Sequence, residues 1–348
     1  MNYGLPYAGS KSQFANKILD ALPPADTFVD LFAGGCSMTH AAMLSGKYKH
    51  FIANDINPQI VQLFKDAVDG KYKDEERWIS KEDWLRLKDT DAYVKYCWSF
   101  SNGGVSYQYG EEIEPYKKAL HYAVFWGDFE QLRALCPEVA DACEERLRDI
   151  ADRKQRRVEI GRVIVKRLKE IGDYDLAMNN PLYKSCHWKG RVKGKLESAS
   201  LQSLQRMERL QSLESLERLE RLQRLERLQS LERLQSLEIS SMDYQSVALP
   251  DDAVVYCDIP YKVDTFLKRG VYGGDFDFQR YYDWVRSQDR VIYTSEYTIP
   301  DDFMSIWEYT KHPSFTQKEG KYVTERLFVH ESQLHKLHKT DLFGYDHY

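Results

Sequence analysis

Short apolar runs, each ending in a turn and leading into an amphipathic helix, recur at both ends of the chain, and this alternation constrains the fold more than any other feature. Thr27 to Phe32 and His50 to Ala53 read as strands, with helices predicted over Lys11 to Leu22, from Ser37 onward and from Pro58 onward. Pro23-Pro24 closes the first helix, and Gly34-Gly35 and Asn57-Pro58 punctuate the next two. After a long interval the pattern resumes: Ala253 to Cys257 is apolar, Phe278 to Arg286 is helical in period, and Arg290 to Thr294 reads as a strand. Strands that alternate with helices pair in parallel through right-handed crossovers. The fold class expected is therefore α/β, a doubly wound and mainly parallel sheet built from residues 1–71 and 241–335.

The interval itself divides in two. Residues 72–195 are helical, Tyr-rich and basic, and read as an insertion; its longest helix is predicted from Asp141 to Ile171, stopped by Gly172. Residues 196–238 are a low-complexity tract in which every third position from Leu201 to Leu237 is Leu, save Met207. An α-helix turns ~100° per residue, so a three-residue period winds the leucines around the rod. Only three residues per turn would stack them, and long 3₁₀ runs have poor hydrogen bonds. A leucine-repeat helical rod of α or mixed character is expected, offering a surface for self-association. Residues 336–348 form a His- and Tyr-rich tail.

The net charge of −5 averages over faces that need not share a partner. Between Arg153 and Lys195 thirteen Lys/Arg stand against four acids, a local net of +9 to which a polyanion could dock. The six cysteines are scattered without a C-x-x-C pair, which argues against a disulfide framework and a thiolate metal site, so no metal is expected. Neither a span of ~20 apolar residues nor a signal-peptide layout is present, and a cytoplasmic location without membrane contact is the expectation.

Three elements carry chemistry. Asp30-Leu-Phe-Ala-Gly-Gly-Cys-Ser37 lies at a strand-to-helix turn, where glycines permit close approach of a ligand. Asp55, about 20 residues past that turn at the end of the next strand, is placed to accept hydrogen bonds from the ribose of a nucleoside cofactor, or to cap the helix at Pro58. The third is Asp258-Ile-Pro-Tyr261, directly after the strand Val254 to Cys257.

In this order the motifs resemble those of the Dam-type (D12 class) DNA adenine-N6 methyltransferases, in a phage-like form. Tyr7-Ala-Gly-Ser-Lys11 is similar to the family's N-terminal element, Asp30 to Ser37 to its cofactor loop, Asp55 to its ribose-binding acid, and Asp258 to Tyr261 to its catalytic Asp-Pro-Pro-Tyr. Phe100 to Gly104, Tyr293 to Tyr297 and Thr324 to Val329 resemble further family segments. One departure is Ile259, where the family usually has proline.

The resemblance implies a Rossmann-like methyltransferase sheet with a helical target-recognition insertion. It implies S-adenosyl-L-methionine as cofactor, contacted by Tyr7, Lys11, Asp30, Phe32, Gly34, Asp55 and Asp258. The reaction implied is methyl transfer to N6 of an adenine flipped out of double-stranded DNA, of the kind used in restriction-modification. Asp258 and the backbone carbonyl of Ile259 would accept from the amino group, Pro260 would stiffen the turn, and Tyr261 would stack on the base. For DNA the candidates are Asn102 and Gly103 in the Gly-rich loop, with Arg153, Arg156, Arg157, Lys184, Lys189, Arg191 and Lys193 in the basic run. Three other readings stay open: a catalytically inactive DNA-binding protein of the same fold, an oligomeric scaffold organised by the leucine rod, and a cytosine-N4 methyltransferase.

Overall fold

The computed structural model describes residues 3–5, 7, 10–72, 75–171, 181–182, 236–260, 276–297, 299–311 and 323–337. Tyr261, Lys184, Lys189, Arg191, Lys193, the repeat up to residue 235, and the tail from 338 lie outside them. The chain divides into two compact units: residues 1–74, 101–103 and 221–348 in one, and 75–100 with 104–220 in the other.

The first unit is built on a seven-stranded sheet in the order β3-β2-β1-β4-β5-β7-β6. Its strands are β1 (Thr27–Asp30), β2 (His50–Asn54), β3 (Ser236–Ser240), β4 (Ala253–Asp258), β5 (Ile292–Ser295), β6 (Phe303–Lys311) and β7 (Val323–His330). The pairs β1–β2, β1–β4, β2–β3 and β4–β5 are parallel, and β5–β7 and β6–β7 are antiparallel. The mainly parallel α/β sheet expected from the alternation is thus observed.

Alternation along the central strands sorts side chains onto two faces. Val29, Val255, Cys257 and Ile259 join Tyr281, Tyr282 and Val285 of a covering helix (Phe278–Ser287) in one buried cluster. Phe28 and Tyr256 point the other way and stack with ring centroids 6.4 Å apart. The helices α1 (Ala15–Ala21), α2 (Ser37–Ser45) and α3 (Pro58–Val68) complete the first half of this unit. Asn57 caps α3 through the amide of Gln59, and Pro58 occupies the first turn, where its missing N–H costs nothing.

The strand β3 was not anticipated. Its first residues, Ser236 and Leu237, are the last of the leucine repeat, yet they pair in parallel with His50 and Phe51 of β2. The sheet therefore resumes within the expected rod, five residues before 241.

The second unit is helical, with α4 (Lys81–Leu87), α5 (Ala92–Cys97), α6 (Glu114–Trp126), α7 (Glu130–Leu135), α8 (Pro137–Leu147) and α9 (Arg153–Ile171). We number the covering helix of the first unit α10. The single helix expected from Asp141 to Ile171 is two. The break falls before Asp152, whose carboxylate accepts from the amide of Gln155 at 2.7 Å and starts α9 anew. An aromatic cluster organises this unit: Trp78 stacks on Tyr109 (5.7 Å, 6° between planes) and meets Trp98 edge-on at 5.1 Å.

Candidate active site

Order and direction of the strands fix where a site can form. From β1 the chain crosses to β2 on one side, while β4 lies on the other, so β1 and β4 bound the point where winding reverses. Ligands of open α/β sheets bind outside the carboxyl ends of strands at such a point. Asp30 ends β1 and Asp258 ends β4. Asp30 pairs with Tyr256, so Asp30, Tyr256 and Asp258 share the face bearing Phe28.

The N-terminal segment crosses this end of the sheet. Leu5 donates its amide to the Gly35 carbonyl (2.7 Å), Gly4 to Nδ1 of His40 (2.9 Å), and Lys11 to Oγ of Ser37 (3.1 Å). A Cβ on Gly35 would come within 2.6 Å of the Tyr7 Cβ, and one on Gly34 within 3.2 Å of its ring. Tyr7 therefore lies on the glycine turn, and part of what the glycines make room for is the chain itself.

Lys11 lies in the turn ahead of α1, its carbonyl accepting from the amides of Phe14 and Ala15, and its side chain is buried. Its Nζ is 2.8 Å from Oδ1 of Asp258 and 3.7 Å from Oε1 of Glu325 on β7. Burial alone would lower the pKa of this ammonium; the two carboxylates outweigh it and hold the value above the usual one. The lysine expected to meet a cofactor carboxylate thus meets the carboxylate expected to do the chemistry.

Asp55 is tied to both flanking turns. Its Oδ2 accepts from the amide of Gly34 (2.8 Å) and its Oδ1 from that of Asn57 (2.9 Å). Burial raises its pKa, and these two amides partly offset the rise. Asn54 braces the same corner. Its amide group donates to the carbonyls of Leu31 and Met242 (both 3.1 Å), while its oxygen accepts from Ser240 Oγ (2.7 Å) and the Met242 amide (3.0 Å). Next to Asp55, Ile56 exposes 75% of its surface.

Oδ2 of Asp30 accepts from the amide and hydroxyl of Thr39 on α2, while Oδ1 is buried with no hydrogen-bond partner among the described residues. Burial is the chief cause that pushes this carboxyl up to about 7. Phe32 turns toward the α10 side, against Tyr244 (5.3 Å) and Tyr281 (5.7 Å). The side chain of Ile259 is buried in the same cluster, so packing restrains a backbone that proline would restrain covalently.

The candidates for DNA contact fall differently. Asn102 adopts a left-handed conformation (φ 56°) in the loop it shares with Gly103. Arg153 pairs with Glu76 and lies over the Phe125 ring. Arg156 donates to the carbonyls of Ile150, Val124 and Phe125, closing the carboxyl end of α6. Arg157 is buried. Among the described residues no group of three or more His, Cys, Asp or Glu side chains could hold a metal ion, and no helix is long and apolar enough to cross a membrane.

Comparison with known proteins bears on this arrangement. Residues 7–123 match the family model of the D12 class N6 adenine-specific DNA methyltransferases. The family suggested by the motifs is the one found. The matched segment holds Tyr7, Lys11, the turn 30–37, Asp55 and the loop at 100–104, and it stops short of Asp258. A similar protein is the retron Ec67 DNA adenine methylase of Escherichia coli, 28% identical over 118 residues. That alignment spans 34% of this chain and 37% of the relative.

Beyond the motifs of this D12-like segment, the structure adds Glu325, His40, Asn54 and Ile56 to the site. Glu325 sits inside a stretch resembling a family strand, but a Glu in an alternating strand reads as a solvent-facing residue. Asn54, next to Asp55, carried no separate signal.

Proposed function

We propose that the chain is a DNA methyltransferase that uses S-adenosyl-L-methionine to methylate N6 of an adenine flipped out of duplex DNA. The observation that carries this reading is the convergence of Asp30, Asp55, Lys11 and Asp258 at the reversal point of the sheet. The match of residues 7–123 to a family of that activity supports it.

The residues present fit such a cofactor. Asp55, held by two amides at the end of β2, suits the ribose hydroxyls, and the exposed Ile56 offers an apolar surface to a purine. The unpartnered Oδ1 of Asp30 is a buried acceptor beside the glycine turn. When bound, the cofactor supplies an electrophilic methyl group on a sulfonium.

Adenine N6 is a poor nucleophile because its lone pair is delocalised into the ring. Asp258 and the carbonyl of residue 259 would accept from its two N–H groups, drawing the nitrogen toward tetrahedral geometry and aiming its lone pair at the methyl carbon. As the N–C bond forms the C–S bond would break, a neutral thioether would leave, and the proton lost from N6 would pass to Asp258 or water; the residues contribute positioning and electrostatics rather than a covalent intermediate. Tyr261 would stack on the base.

The test is incubation of the full chain with methyl-labelled cofactor and unmodified duplex DNA, followed by digestion to nucleosides. Label in N6-methyl-2′-deoxyadenosine is expected, with Asp258→Ala reducing it by about 10²-fold or more while calorimetry still detects the cofactor. Label in N4-methyl-2′-deoxycytidine would make this a cytosine enzyme. DNA retention without label would make it a binding protein.

A further inference from the structure

We infer that Glu325 is a positioning residue, acting through Lys11 to set the orientation and charge of the Asp258 carboxylate. This role rests on the methyltransfer reading above; the charge cluster itself does not.

Strand register places the three groups together. Asp258 pairs with Ser295, Ser295 pairs with Leu327, and Glu325 follows on the same face two residues beyond Leu327. Glu325 thus lies on the Asp258 face of the sheet, toward its reactive end. Lys11 reaches the same place from the turn ahead of α1, 2.8 Å from Asp258 and 3.7 Å from Glu325.

Side-chain exposure is 5% for Lys11, 2% for Glu325 and 19% for Asp258. Burying a carboxylate in a strand costs several kcal/mol unless a charge answers it, so Glu325 is not a neutral choice for that position. One ammonium between two carboxylates leaves a net negative charge. Lys11 favours the ionised form of Asp258. Glu325 keeps the ammonium in place and stops it from fully quenching the acceptor strength of Asp258.

Other titratable groups bear on the cluster. Asp30 approaches from β1, Tyr256 and Cys257 from β4, and Tyr297 from the segment after β5. Of these, only Asp30 is pushed to about 7, within the range where an acid limb is measured. It must be followed separately.

The two members of the device act on Asp258 with opposite signs, which a purely structural role would not produce. Replacing Lys11 by Met removes the favourable charge, so Asp258 should take up its proton at higher pH. Replacing Glu325 by Gln removes a like charge, so Asp258 should take up its proton at lower pH.

The full chain, without cofactor, labelled with ¹³Cγ-aspartate and titrated by NMR, reads this directly. Asp258 and Asp30 are identified by Asp258→Asn and Asp30→Asn. The Asp258 step is expected to rise by about one pH unit or more in Lys11→Met and to fall in Glu325→Gln; Lys11→Arg, which retains the charge, should restore the parent value. The acid limb of kcat on DNA should move the same way. Displacement in one direction for both variants, or none, overturns the proposal even if DNA is methylated. Opposed displacement without any methylation leaves the cluster standing and removes the function assigned to it.

Discussion

Asp30 carries one of the largest electrostatic consequences of any residue at the site. Its carboxyl moves from 3.8 to about 7 through burial. A group whose folded value is the higher one holds its proton more tightly in the native state. Its contribution to stability is therefore full in acid and is lost as pH rises from about 4 to about 7, by on the order of a few kcal/mol. Asp30→Asn keeps an acceptor for Thr39 and cannot ionise. Its denaturant midpoint should change less than the parent's between pH 5 and pH 8, and equal changes would mean that the Asp30 carboxyl does not titrate in that range. Asp30, Asp55 and Asp258 were legible in the sequence because each ends an apolar run, where a carboxylate has little structural reason to stand. Glu325 was not, because only the β5–β7–β6 pairing buries it, and Lys11 could be matched to a motif without any sign that its partner would be Asp258.

Helix and strand identity followed the strength of the local pattern. The runs at 27–32, 50–53, 253–257 and 290–294 were readable because a strand covered on both faces is apolar throughout. In β3 the sequence Ser-Leu-Glu-Ile-Ser continues the triplet rhythm of the repeat, and only the edge of β2 makes it a strand. The break between α8 and α9 likewise has no Gly or Pro to mark it, and Asp152 acts as a cap without a preceding stop. The N-terminal segment is the element most dependent on such unseen contacts. Gly4 has φ +68°, and a Cβ there would lie 2.4 Å from the Gly35 carbonyl oxygen and 2.7 Å from the Ser37 backbone. Gly4→Ala should force the segment off the glycine turn, costing roughly 1–3 kcal/mol in thermal unfolding and weakening cofactor binding in calorimetry. A variant with parent stability and affinity would show that the segment does not brace the turn.

At the scale of the molecule, the final residues of the leucine tract belong to the sheet. This separates two roles that sequence alone had merged into one rod. Ser240 and Met242 hydrogen-bond to Asn54, whose own carbonyl accepts from Ala33 in the glycine turn. Removal of β3 should therefore reach Asp55 and the turn through Asn54, whereas removal of the repeat ahead of it should not. Deleting 201–233 is expected to leave cofactor affinity within about twofold of the parent. Extending the deletion through Ser240 strips hydrogen bonds from a buried amide, at about 1–3 kcal/mol for groups left unsatisfied, and should lower affinity tenfold or more. Calorimetry reads the affinity, and sedimentation of the shorter deletion tests self-association: a mass equal to the parent's would remove the repeat as its cause. Equal affinity in both deletions would mean that the edge strand and Asn54 do not support the glycine turn, leaving the Gly34–Asp55 hydrogen bond and the N-terminal segment to hold it.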